Sequence, residues 1–251
     1  MNTSFGNIQA VAKRELIGYF SSAVAYVFLV IFLLLSGFFT FMVGGAPFFK
    51  FNQASLVTFF IWQPWMFLFL VPAVGMRLWS EERRLGTIEL LLTMPITAWQ
   101  AIVGKFLASW LFLALALFLT FPLVLTVNYL GSPDNGVIFC SYVGCLLMAG
   151  SYLAVSCMTS AITRNQVVSF ILSVVICLFL ILAGFPPVTD FLSKLTNEPW
   201  IVDGVAALSV ITHFEAFQKG VLDSRNLIFF FSLIGFALFT TGVILRGHRA
   251  G

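Results

Sequence analysis

The chain has 251 residues, 60% of them hydrophobic and 9% charged, with 30 phenylalanines and a formal net charge of +3. A soluble domain carries about 25% charged residues, and one soluble core cannot hide several uncharged runs longer than about 18 residues, so the composition belongs to the membrane class. The small net charge argues against nucleic-acid binding.

Residues 1–7 are polar and expected to fray. Over 8–20, Ile8, Ala12, Leu16 and Phe20 recur at i+4 with Val11 beside them, while Lys13 and Arg14 fall off the stripe. This is the pattern of an amphipathic helix at the membrane interface; the alternative is the end of the first span. No charge occurs between Glu15 and Lys50, and span 1 is placed at 23–43, since a crossing needs about 20 residues. Gly44, Gly45 and Pro47 mark a turn. Span 2 lies within 55–76, with Pro64 and Pro72 as kinks or start signals and Trp62 and Trp65 as belt residues near its outer end.

Residues 77–100 form the densest charged island, with Arg77, Glu81, Glu82, Arg83, Arg84 and Glu89. It reads as a loop with a short surface helix. Gly86 breaks the chain, Thr87 caps a helix at 88–92 with Glu89 in its first turn, and Pro95 closes it. Thr97 and Gln100 stand at capping-box spacing, so a second helix starts near Ala98, runs along the interface and enters span 3 at 106–129. A turn at 131–136 leads to span 4 at 137–158, where Gly150 and Ala154 form a small-xxx-small pair. A polar turn with Arg164 precedes span 5 at 167–185, which Pro186 and Pro187 stop. Charges are scattered through 188–226, and the uncharged piece 204–214 is too short to cross; it suits a re-entrant or interfacial helix packed against protein. Span 6 is placed at 227–245, before Arg246, His248 and Arg249.

The expected fold is therefore an all-α integral membrane protein, one transmembrane domain over 1–251 with six spans and no soluble domain. With both termini cytoplasmic, nine basic residues lie inside (Lys13, Arg14, Arg77, Arg83, Arg84, Lys105, Arg164, Arg246, Arg249) and four outside (Lys50, Lys194, Lys219, Arg225). The positive-inside rule selects that orientation, which puts the island in the cytoplasm and 188–226 outside.

The chain has no GxxxxGK(S/T) phosphate loop, no HExxH and no GxSxG, and its spans lack buried carboxylates or histidines. A non-catalytic scaffold powered from elsewhere is expected, with no cofactor of its own. Cys140, Cys145, Cys157 and Cys177 read as small buried hydrophobes, with disulfides or a metal site as the alternatives. His213 is either a metal ligand with Glu215 or a hydrogen-bonded histidine in a helix cap. Glu81, Glu82, Arg83 and Arg84 form either a solvated face or a docking surface; charge concentrated in one loop, tied directly to two spans, favours docking.

In sequence, Glu81, Glu82, Arg83, Arg84, Gly86, Thr87, Glu89, Leu91, Leu92, Thr93 and Pro95 resemble the EE(K/R)xxGTxExLLTxP segment of permease subunits of the ABC-2 (type V) transporter family. Lys13, Arg14, Glu15 and Leu16 resemble that family's elbow helix. His213, Phe214, Phe217, Gly220, Val221, Asp223 and Arg225 resemble its segment before the last span, with Asn226 where relatives often carry a second aspartate, and the three stretches together look closest to the gliding-motility-associated branch. The resemblance implies two permeases, identical or paralogous, in a bacterial inner membrane. Each would dock a cytoplasmic ATPase that binds ATP and Mg, two per complex. It also implies a coupling helix at 87–92, an elbow touching the ATPase, outer segments that dip back into the bilayer, and in some relatives an auxiliary membrane protein. Export or mechanical work on the membrane would follow. The alternative is a membrane scaffold or assembly factor that recruits an ATPase without moving solute.

Overall fold

The computed structural model describes residues 2–42, 55–87, 97–195 and 199–247, and these are helical almost throughout. Twelve helices follow one another among the described residues: α1 (Asn2–Phe20), α2 (Ala23–Phe41), α3 (Val57–Gly75), α4 (Arg77–Leu85), α5 (Ala98–Phe118), α6 (Phe121–Leu130), α7 (Asn135–Ile162), α8 (Gln166–Leu182), α9 (Pro186–Leu195), α10 (Pro199–Ala206), α11 (Val210–Gln218) and α12 (Ser224–Gly247).

Five stretches among the described residues are long and apolar enough to cross a bilayer: α2, α3 with α4, α5 with α6, α7 and α12. Helix α8 has 17 residues and turns by 73° into α9; counted as one broken span, the pair brings the number to six. The multi-pass, all-helical character expected from composition is present.

Some boundaries follow the sequence expectation, among them the separate N-terminal helix and the helix start at Ala98, and others differ, each for a local reason. Helix α1 starts at Asn2 rather than near Ile8, so residues 2–7 are helical rather than frayed. It is separate from the first span, because the chain breaks at Ser21 and Ser22 and the Ser22 side chain accepts from the Val24 amide at 3.3 Å. The first half of the charged island is not a loop. Helices α3 and α4, parted only by the turn at Met76, together make a 29-residue stretch that carries the span through Pro64 and Pro72 and onward through Glu81–Arg84. The Thr97–Gln100 capping box forms in full, with bonds of 3.3 and 3.0 Å, and starts α5 well before residue 106. That span is interrupted at Leu119 and Thr120, just before Pro122 in the first turn of α6. The piece 204–214 is not one element, since α10 ends at Ala206 and Ser209 caps α11.

Helix α7 is the axis of the bundle, packed against α12, α3, α8, α11, α5 and α4. In a bilayer, helices gain little from apolar transfer and associate by close packing, which small residues permit. A Cβ added at Gly150 would sit 2.9 Å from Trp110 Nε1, the group that donates to the Leu146 carbonyl at 2.9 Å. Gly75 of α3 faces Ser156, and Gly144 lies beneath Phe214 and Phe217 of α11. Helix α11 thus packs about 13 Å along α7 from its first residue, at the 1.5 Å rise of a helix. The four cysteines are buried thiols within α7 and α8.

Candidate functional site

Helix α1 lies along the first half of α5, running in the same direction. Gly104 makes room for Val11, Asn7 reaches Gln100 at 3.4 Å, and the Tyr19 hydroxyl meets Ser109 at 2.9 Å while its ring stacks on Phe112 at 5.2 Å. The inward stripe is the expected one of Ile8, Val11, Ala12, Leu16 and Phe20, joined by Glu15 and Tyr19, and Lys13 and Arg14 face outward.

At the centre of this face is a residue that the sequence reading counted only as a positive charge. Lys105 of α5 is 3% exposed. Its ammonium pairs with Glu82 of α4 at 2.9 Å and with Glu15 of α1 at 3.2 Å, and stands 5.4 Å from the centre of the Trp79 ring. Three separate helices are thereby tied at one point. A buried lysine is stable only when paired in this way. Glu15 also takes Arg14 at 2.9 Å. Burial pushes the Glu15 carboxyl up, but Lys105 and then Arg14 outweigh it and hold the group below its ordinary value of 4.5.

Helix α4 is also fixed from behind. Its first-turn amides have no side-chain cap of their own. Ser160 of α7 fills that role: its hydroxyl accepts from the Trp79 and Ser80 amides, both at 2.9 Å, and donates to the Met76 carbonyl at 3.0 Å. A hydroxyl offers one donor and two acceptor positions, so all are used. The Trp79 indole donates to Cys157 Sγ at 3.2 Å, and the Arg83 guanidinium donates to the Ala161 carbonyl. Leu78, Trp79 and Ser80 are buried, while Arg77, Arg84 and Leu85 are exposed and Glu81 is half-buried, 4.0 Å from Arg84. Of the expected docking residues, Glu82 and Arg83 therefore face the bundle, whereas Glu81 and Arg84 face away. Gly86 ends α4 at φ 71°, in the left-handed region that favours glycine, and the Thr87 amide closes on the Glu82 carbonyl at 3.0 Å. Thr87 thus finishes α4. The helix it was expected to start, with Glu89, Leu91, Leu92 and Pro95, lies outside the described residues.

A family model described as ABC-2 family transporter protein matches residues 66–245, which is 180 of the 251 residues. The chain belongs to the ABC-2 transporter family. None of the curated proteins compared with it matches. In this ABC-2 protein the match takes in α4, α5 and α7, and α1 lies outside it, yet Glu15 ties α1 to the matched part through Lys105.

The second group expected from sequence lies around α11. His213 is hydrogen-bonded: Nδ1 to Asn226 Oδ1 at 2.7 Å, Nε2 to the Ala207 carbonyl at 3.0 Å, with its ring stacked 4.0 Å from Phe229. Glu215 points elsewhere, toward Lys219 at 3.9 Å, so the two do not converge as metal ligands. Phe214 is buried against α7, and Asp223 accepts from the Arg225 amide at 3.0 Å at the start of α12. Gly184, at the bend after α8, lies against Ser209 and Thr212, so the bend packs directly on the start of α11.

Sequence reasoning missed Lys105, Ser160 and Trp79. A signal existed for the first: a lone lysine between Gly104 and Phe106, ahead of a long apolar run, needs a carboxylate partner if it is buried. Nothing marked Ser160 among the many serines of α7.

Proposed function

We propose that this ABC-2 protein is the membrane-spanning subunit of an ATP-binding-cassette transporter, driven by a separate cytoplasmic ATPase that binds ATP and Mg. The observation that carries the reading is the ion-paired junction of α1, α4 and α5 at Lys105. Force applied to α4 there reaches three helices without crossing a flexible linker. The exposed side of α4 (Arg77, Glu81, Arg84) and the segment that follows it, with Glu89, Leu91, Leu92 and Pro95, form the docking surface. Helix α1, with Lys13 and Arg14 outward, is the elbow beside it. Two such chains, identical or paralogous, pair in a bacterial inner membrane with their termini in the cytoplasm, and each meets one ATPase. The motifs around α4 and α11 support placement near the gliding-motility-associated branch, where an auxiliary membrane protein joins the complex. The product of the cycle is export or mechanical work on the membrane, by rigid-body motion of the paired bundles.

Docking is tested on the outward residues, because changing Glu82 also breaks its pair with Lys105. A Glu81→Lys, Arg84→Glu, Glu89→Lys variant is expected to insert normally and to lose the co-purifying ATPase at least tenfold. Retention of the ATPase at the wild-type level, with unchanged turnover, would remove α4 from the interface. Vectorial transport in vesicles then distinguishes a transporter from a scaffold that recruits the ATPase without moving solute.

A further inference from the structure

His213 sits where α10, α11 and α12 meet, and its ring is half-buried. Both ring nitrogens face oxygens: Nε2 lies 3.0 Å from the Ala207 carbonyl, and Nδ1 lies 2.7 Å from Asn226 Oδ1. A neutral imidazole has one N–H and serves only one of two acceptors, whereas an imidazolium has two. The Ala207 carbonyl accepts in every state, so Nε2 keeps its hydrogen and the exchangeable proton is the one on Nδ1. Asn226 is only 8% exposed, and an oxygen so placed needs a donor. With the ring neutral, Nδ1 turns from donor to acceptor, and the pair survives only if Asn226 swings its amide nitrogen inward.

The other surroundings also suit a cation. Ala207 follows the last turn of α10, where a helix leaves carbonyls over and carries its negative end. Phe229 lays its ring face against the imidazole, 4.0 Å away and 21° from parallel. The fixed charges nearby are engaged elsewhere or stand outside. Glu215 and Lys219 of α11 pair with each other at 3.9 Å, Asp223 accepts from the Arg225 amide at 3.0 Å, and Asp203 of α10 is exposed. From α7, Asp134 caps its own helix, and α3 and α8 bring no charged side chain. Histidine is the side chain that ordinarily changes charge between about pH 5 and 8. We propose that His213 is a pH-operated latch that, when protonated, donates to Ala207 and Asn226 together and ties α10, α11 and α12 into one unit. When the Nδ1 proton passes to water, the Asn226 amide turns over or its bond parts. Either way two charge-assisted bonds give way to neutral ones, roughly half as strong. Helix α11 is seated on Gly144 of α7, and its start lies on Gly184 at the bend after α8, so the latch acts on that whole end of the bundle.

The chain has two histidines, so labelling the rings with nitrogen-15 gives two sets of NMR signals, and His248→Gln identifies those of His213. In the full chain, titrated in detergent from about pH 5 to 8.5, Nε2 is expected to stay protonated throughout, while Nδ1 passes from N–H to bare nitrogen. Asn226→Asp keeps the shape but fixes an acceptor opposite Nδ1, and should hold that proton to a higher pH than the wild type. Amide exchange in α10, corrected for its intrinsic pH dependence, should be about threefold faster at the alkaline end of the titration than at the acid end, in line with the weaker bonds. That response should vanish in His213→Gln. A neutral ring protonated on Nδ1, the same protonation profile in Asn226→Asp as in the wild type, or α10 exchange that ignores pH overturns the latch. So does a pH response that survives in His213→Gln; if that variant does not fold, the Asn226→Asp profile decides.

Discussion

Lys105 is held by charge from two sides, and its removal leaves Glu15 and Glu82 facing each other with nothing between them. Taking away one partner of a buried ion pair costs about 3–5 kcal/mol. Glu15 and Glu82 keep 22% and 19% of their side-chain exposure, which lowers the expectation for Lys105→Met to about 2 kcal/mol. For a chain of this size that is a fall of about 4–8 °C in the unfolding midpoint in detergent. The pH response should also change sign. In the wild type the Glu15 carboxyl is held below 4.5, so its contribution is complete above that pH and fades as pH falls through the folded value. In Lys105→Met burial is opposed by Arg14 alone, so acidification relieves the buried charge and stabilises the fold, as midpoints measured between pH 6 and pH 3 would show. Gln63 gives the opposite kind of expectation. It is fully buried in α3, and neither its amide nitrogen nor its oxygen has a hydrogen-bond partner among the described residues. Leaving such a group unpaired costs about 1–3 kcal/mol, so Gln63→Leu should raise the midpoint.

At the scale of the helices, the legible parts of the sequence were those set by local rules. The Thr97–Gln100 box, the Gly86 stop and the inward stripe of α1 all appear where residue type and spacing put them, because each depends on neighbours within about one turn. The extent of α4 was not legible. A dense run of Glu and Arg reads as solvated loop, and what makes it helix is supplied by distant residues: Ser160 caps its amides and Lys105 neutralises Glu82. The candidate site was therefore half visible. Its outward charges could be named from sequence, whereas the buried residues that orient them depend on packing between α4, α5 and α7. Ser160→Ala tests that dependence. It strips the acceptor from the Trp79 and Ser80 amides, and loss of a cap of this kind costs about 1 kcal/mol. Hydrogen exchange should quicken at those two amides by about fivefold, while amides in the middle of α7 keep their protection.

For the whole molecule, the decisive property is which face looks where. Arg84 and Lys219 can report it, because both are well exposed, at 61% and 74% of the side chain. With cysteine at either position in a chain free of its four native thiols, an impermeant maleimide on intact cells should label position 219 and leave position 84 untouched until the membrane is opened. The reverse pattern would turn the orientation over and take the docking proposal with it. The same faces bear on the described path of the chain, since α11 packs well into the bundle from the end opposite α4.

The Val57–Leu85 stretch, helical but for the turn at Met76, has a mechanical corollary. At 1.5 Å per residue it is a rod of about 43 Å, some 13 Å longer than the oily layer it crosses. Its overhang is riveted at Ser160 and Lys105 rather than left to swing. A push on the protruding tip is therefore expected to act through the Met76 junction on α3, rather than to be absorbed by a swinging overhang.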